Sequence, residues 1–105
     1  MKLRYSPAAI GDLRRLRDYL RAELAQPISA QRIPAEIVRR CGFLKKNPKL
    51  GPVLQARVRR ETDLRYLVCG AHLAFYRVGR ESISILRILH SRQDFIRALG
   101  LGGKE

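Results

Sequence analysis

The sequence predicts an α+β domain: a strand, a helical hairpin, a three-stranded antiparallel meander and a short C-terminal helix. Three observations predict it. In the first half, apolar residues recur at steps of three and four, the period of a helix. Residues 63–90 are instead rich in β-branched, aromatic and apolar types, the composition of strands. Between the two lies "KKNPKLGP" (45–52), whose Asn-Pro and Gly-Pro pairs mark a loop. Elements segregated in this way place helices on one face of an antiparallel sheet. With 105 residues and 46% hydrophobic content, the chain fits one domain (1–105) with a real core.

"KLRY" (2–5) alternates polar and apolar and reads as a short strand. Ser6 is a good N-cap, and Pro7 is pre-organised for the first helical position, where its missing N–H costs nothing. Over 7–24, Ile10, Leu13, Leu16, Leu20 and Leu24 share one face, with Arg14, Arg15, Asp18 and Arg21 opposite. A basic amphipathic helix can bind membranes. The flanking strands favour a core-facing helix here. "QPIS" ends this pattern, and a second helix is expected over 29–46 with Ile33, Ile37, Cys41 and Leu44 inward. Pro34 lies inside it and removes a hydrogen bond. Either the helix is kinked, or its regular part begins at Pro34. The short connection makes the pair an antiparallel hairpin.

After the loop come "DLRYLVC" (63–69), "AHLAFYRV" (71–78) and "SISILRILH" (82–90). Gly70 and "GRE" (79–81) separate them, gaps short enough for tight hairpins. The last strand is apolar on both faces, with Ile83, Ile85 and Leu89 on one and Leu86 and Ile88 on the other, which puts it inside the sheet. Strand 2–5 is its natural further neighbour. Ser91 is positioned to cap a final helix over 92–99, with Asp94 near its positive end.

Formal net charge is +13, with 17 Arg and 5 Lys, which implies an anionic partner: nucleic acid, an acidic protein segment, or both. No apolar run approaches the ~20 residues of a membrane helix, and the N-terminus has no signal-like apolar block, so a cytoplasmic protein without membrane contact is expected. Cys41 and Cys69 lack CxxC spacing and a completing histidine, so no metal or other cofactor is expected. They read as two buried thiols, with a disulfide as the alternative.

The segments "LRYSPAAIGDLRRLRDYL" and "LRYLVCGAHLAFYRVGRESISILRILHSRQDF" resemble the RelE/ParE family of toxins from bacterial type II toxin–antitoxin systems. Arg65-Tyr66, "FYRV" (75–78) and "ILRILHSRQD" (85–94) carry the resemblance, which covers nearly the whole chain. Pro34 departs from the family pattern. The resemblance implies an antitoxin partner whose flexible segment wraps the toxin in a hetero-oligomer, by helix-in-groove docking and strand addition. It also implies one of two activities. The ParE branch binds DNA gyrase, and the RelE branch cleaves mRNA on the ribosome.

Ribonuclease chemistry needs a base for the 2′-hydroxyl, cations for the phosphate and an acid for the leaving oxygen. If the chain is a ribonuclease, the candidates are His72, His90, Arg92 and Lys46. Arg92 matches the family arginine after the last strand, and His72 stands where the RelE branch has an arginine. The family's C-terminal tyrosine is absent, and no carboxylate lies between Glu36 and Glu61 for the glutamate variant. His90 reads more simply as a strand-end residue hydrogen-bonded to the helix after it. The incomplete set favours the binding-type, ParE-like toxin, without a catalytic site of its own. Arg65, Arg77, Arg87 and Arg92 are then the candidates for contact with target or antitoxin. Arg87 interrupts an apolar face and needs a partner: Asp94, Asp63 or an acidic antitoxin side chain. A third reading, a basic nucleic-acid-binding module, would require aromatic residues on one exposed sheet face. Tyr66, Phe75 and Tyr76 split between faces.

Overall fold

The computed structural model describes residues 1–57 and 61–101. Strand β1 (Lys2–Tyr5) leads into helix α1 (Pro7–Asp18), with Ser6 Oγ accepting the Ala9 N–H at 3.0 Å. α1 does not run to residue 24 as an α-helix. It opens into a π-helical turn (Tyr19–Glu23), in which Leu24 N–H bonds Tyr19 O at 3.2 Å. Ala25 then takes a left-handed conformation (φ 50°), and Gln26 N–H closes on Leu20 O at 2.8 Å. This is the helix-ending geometry in which glycine is usual.

Helix α2 (Pro27–Gly42) starts two residues earlier than expected and passes through Pro34. Of the two alternatives for this segment, a regular helix beginning at Pro34 is therefore excluded. A 3₁₀ turn (Phe43–Lys45) ends the hairpin. Strands β2 (Arg65–Cys69), β3 (His72–Val78) and β4 (Ser82–His90) follow. The sheet order is β1-β4-β3-β2. The meander is antiparallel as predicted, but β1 pairs with β4 in parallel, so the sheet is mixed. The terminal helix is shorter than predicted: α3 spans Phe95–Ala98, and its cap is Asp94, whose Oδ1 accepts Arg97 N–H, not Ser91.

One irregularity in β4 resets which side chains share a face. Tyr76 pairs with Ile85 and Phe75 with Arg87, which leaves Leu86 as an extra residue. Such a bulge shifts the alternation by one position. Ile83, Ile85 and Ile88 therefore face α1 and α2, while Leu86 and Leu89 face the other way. The expected faces had Leu89 and Ile88 exchanged, because an unbroken period of two takes no account of a bulge.

The sheet is consequently covered on both faces. Ala9, Ile37, Cys41 and Leu44 of the helical layer pack on Leu67, Ala74, Tyr76 and the three isoleucines of β4. On the far face, Leu54, Ile96, Leu99 and Leu101 pack on Phe75 and Leu89. Helices on one face only was thus an incomplete expectation. Cys41 and Cys69 are free thiols buried in the helix-side core.

The inward stripe of α1 also differs from the expected one. Ile10 and Leu24 are exposed, whereas Ala9 and Asp12 are buried. Ala9, Asp12, Leu13 and Leu16 are spaced by three, one and three residues, and they form the stripe that meets the sheet.

Candidate functional site

At the C-terminal end of β4, a cleft of about 600 Å³ opens between the helical hairpin and the sheet. Leu16, Leu20, Leu24 and Ile33 supply one apolar wall, and Ala71 and Ile88 the other. Arg15, Arg87, His72 and His90 line it as well. The π turn matters here. It keeps Leu20 buried while Tyr19 and Leu24 stay exposed at the cleft.

Asp12 organises the cleft floor. It is the only polar side chain in the buried set among the described residues. Its carboxylate accepts from Arg87 Nε at 2.8 Å and Nη2 at 2.9 Å, from Arg15 Nη2 at 2.8 Å and from Ile88 N–H at 2.8 Å. Burial alone would raise the Asp12 carboxyl, but bonds from Arg87, Ile88 and Arg15 outweigh it and hold the group below the usual carboxylate range. This answers the question of Arg87's partner, and neither suggested aspartate supplies it. Asp63 bonds Arg77 Nε at 2.8 Å, and Asp94 caps α3. Sequence reasoning missed Asp12, although its place three residues after Ala9 and four before Leu16 put it on the inward stripe.

His72 and His90 are directly opposite in the β3–β4 register, with ring centroids 5.2 Å apart and an edge-on angle of 81°. Burial, and then the neighbouring His90, push the His72 imidazole below the usual histidine value. His90 is tied to the turn after it: its Nδ1 accepts Arg92 N–H at 3.0 Å, and its own N–H reaches Gln93 Oε1 at 2.7 Å. Arg92 is exposed just beyond the strand. Lys46 lies elsewhere. It adjoins Lys45, whose carbonyl receives the N-terminal ammonium at 2.9 Å, and Met1 leads into the β1 residue that pairs with Ser82. β4 runs from Ser82 to His90, so Lys46 belongs to the opposite end of a strand ~26 Å long. The structure brings His72, His90 and Arg92 to one end of the sheet and leaves Lys46 out.

Of the four arginines proposed for contacts, three have internal partners. Arg65 Nη1 donates to Gly51 O at 2.8 Å, Arg77 to Asp63 and Arg87 to Asp12. The Arg92 side chain makes no ion pair among the described residues. On the far face, a shallower trough of about 780 Å³ is lined by Asp63, Arg77, Leu86, Arg87 and Leu99, among others. Phe75 and Tyr76 are fully buried on opposite faces, so neither offers a ring for bases to stack on, and Tyr66 is partly buried against the far-face cluster. No group of three or more His, Cys, Asp or Glu among the described residues could hold a metal, and no helix there is long and apolar enough to cross a membrane.

The two sheet edges are finished differently. β2 is occupied along its outer side. Val53 bridges Arg65, Tyr66 N–H bonds Pro52 O at 3.1 Å, and Arg40 Nε bonds Val68 O at 3.1 Å. β1 carries no such covering strand among the described residues.

A family model for the ParE toxin of the type II toxin–antitoxin system parDE matches residues 3–95. Eleven chains of solved structures match the fold. One comes from the chromosomal ParDE system of P. aeruginosa. It has TM-score 0.71 and 26% sequence identity, over 86% of this chain and 95% of that one. No curated protein matches the sequence.

Proposed function

Since this chain belongs to the ParE toxin family of type II toxin–antitoxin systems, we propose that it inhibits growth by binding DNA gyrase, without hydrolytic chemistry of its own, until a cognate antitoxin neutralises it. One observation supports this reading over ribosome-dependent mRNA cleavage: the cation set beside the histidines is incomplete. Arg92 lies near them, but Arg87 is locked on Asp12 and Lys46 belongs to the opposite end of β4. His90 Nδ1 is already an acceptor for the backbone. A transition state gains only from donors aimed at its developing charge.

The cleft beside α1 suits the antitoxin. Its apolar walls accept the apolar face of a helix, and Arg15 and the net charge of +13 favour acidic residues on that helix's flanks. Strand addition has less room at β2, where Pro52, Val53 and Arg40 already hold the edge.

The test is a paired assay with purified protein. Supercoiling by DNA gyrase should fall while mRNA on translating ribosomes stays intact, and excess antitoxin should restore supercoiling. Codon-positioned mRNA cleavage with normal supercoiling would replace this reading with the ribonuclease one. His90→Ala and Arg92→Ala should leave growth inhibition intact, and its loss in a folded variant would count for catalysis.

A further inference from the structure

Among the described residues, the far face of the sheet is covered at one end only. The apolar layer of Leu54, Phe95, Ile96, Leu99 and Leu101 lies over Phe75 and Leu89, and it includes no residue of β1. At the other end, two registers combine. Arg4 pairs with Ser84, and Ser84 pairs with Arg77. Residues opposite one another in a sheet project to the same side. Leu3, Tyr5, Ile83, Ile85, Tyr76 and Val78 belong to the helix-side core, so the row Arg4–Ser84–Arg77 projects to the far side. Lys2 and Ser82 form the next row on that side.

We infer that this strip, Lys2, Arg4 and Arg77 around Ser82 and Ser84, binds the phosphodiester backbone of nucleic acid, independently of gyrase. The side-chain types are those that contact phosphate oxygens: Arg, Lys and Ser. Across three neighbouring strands, the Arg4 and Arg77 backbones stand ~10 Å apart, with a small hydroxyl residue between them. Two guanidinium groups can thus straddle a backbone lying across β4.

Arg4 is exposed, and its side chain makes no ion pair or hydrogen bond among the described residues. Arg77 meets Asp63 through Nε, and that carboxylate is itself largely exposed. Asp63 and Glu61 share the trough beside Arg77, and Glu81 adjoins Ser82, against Lys2, Arg4 and Arg77 on the strip itself. No apolar side chain interrupts it. A protein partner would lack the buried anchor that gives protein interfaces their affinity, whereas phosphate neutralisation needs none. Its rows, Lys2–Ser82 and Arg4–Ser84–Arg77, hold no aromatic ring to stack on a base, so binding is independent of sequence and extends to duplex DNA.

The test is fluorescence anisotropy of a short labelled DNA duplex against the purified full chain, over a salt series. Arg4→Gln is compared with Arg14→Gln, which removes the same charge from the exposed side of α1. Arg4→Gln should weaken binding about tenfold at low salt and reduce the salt slope by about one unit. Arg14→Gln should leave both within about twofold. Ser84→Glu, which sets a negative charge mid-row, should abolish binding. If it does not fold, Lys2→Gln must reproduce the Arg4 effect. Equal losses for Arg4→Gln and Arg14→Gln would reduce the effect to diffuse net charge and overturn the site, as would no binding at all. Poly-glutamate bound with the same dependence on Arg4 as DNA would make the strip an acidic-protein surface instead.

Discussion

Removing the Asp12 carboxylate should be the most damaging single change to the cleft, and its size can be worked from the structure. The Asp12 side chain is 5% exposed and holds Arg87, Arg15 and the Ile88 amide through bonds of 2.8–2.9 Å. Asp12→Ala strands the Arg87 guanidinium and the buried Ile88 N–H. Breaking a buried ion pair by deleting one partner costs about 3–5 kcal/mol, and a buried amide without acceptor about 1–3 kcal/mol. Arg87 is 27% exposed and Arg15 is 70% exposed, so water can reclaim part of both charges. A net loss of about 3 kcal/mol is expected, a drop of roughly 10–20 °C in Tm for a chain of this size. Urea denaturation of wild type, Asp12→Ala and Arg15→Ala measures it. Arg15→Ala should cost less than about 1 kcal/mol, because an exposed partner contributes little. If Asp12→Ala lost under about 1 kcal/mol at unchanged m, or no more than Arg15→Ala, the carboxylate would not be what docks α1 onto β4. The pH dependence carries its sign. The folded Asp12 group sits below its unfolded value, so its stabilisation is present above about pH 4 and is lost as pH falls through the folded value. Asp12→Asn should flatten that acid limb.

Other outcomes rest on the same kind of contact. In Gly51→Ala the new Cβ would overlap the Tyr66 carbonyl oxygen and stand 2.9 Å from the Tyr76 hydroxyl, so a loss of at least about 2 kcal/mol is expected by thermal unfolding. Ala25→Gly removes a left-handed alanine and should raise stability by up to about 1 kcal/mol, and a lower Tm would contradict a strained hairpin tip. His72 is held below its unfolded value, so stability should fall as pH drops from about 6.5 towards the folded value, and His72→Gln should remove that segment of the pH–stability curve. Ile37→Asp buries an unpaired charge at a 2%-exposed site and should yield no cooperative unfolding transition.

The element order was legible because each element carries its own local signal. Ser6-Pro7 announces α1, Gly70 turns β2 into β3 with φ 63°, and β4 declares its central place through apolar residues on both sides. Boundaries were less legible where backbone bonds decide them. The π turn at Tyr19–Glu23 and the Asp94 cap depend on which carbonyl an amide reaches, and apolar spacing is nearly blind to that. For the candidate site, residue types were legible and partnerships were not. His72 and His90 were singled out separately, and only the register sets them opposite each other.

The class of fold, the family pattern and the charge that calls for an anionic partner are sums over local residues, and the order and composition of the chain suffice for all three. The parallel pairing of β1, the Leu86 bulge and the Asp12–Arg87 bond were settled in three dimensions. Each depends on groups brought together across the chain: residues 12 and 87 meet because a four-residue edge strand, paired in parallel with β4, carries α1 over it. Nothing local in either segment encodes that meeting. It exists because a buried carboxylate and a half-buried guanidinium must each find the other or lose the water both had when unfolded.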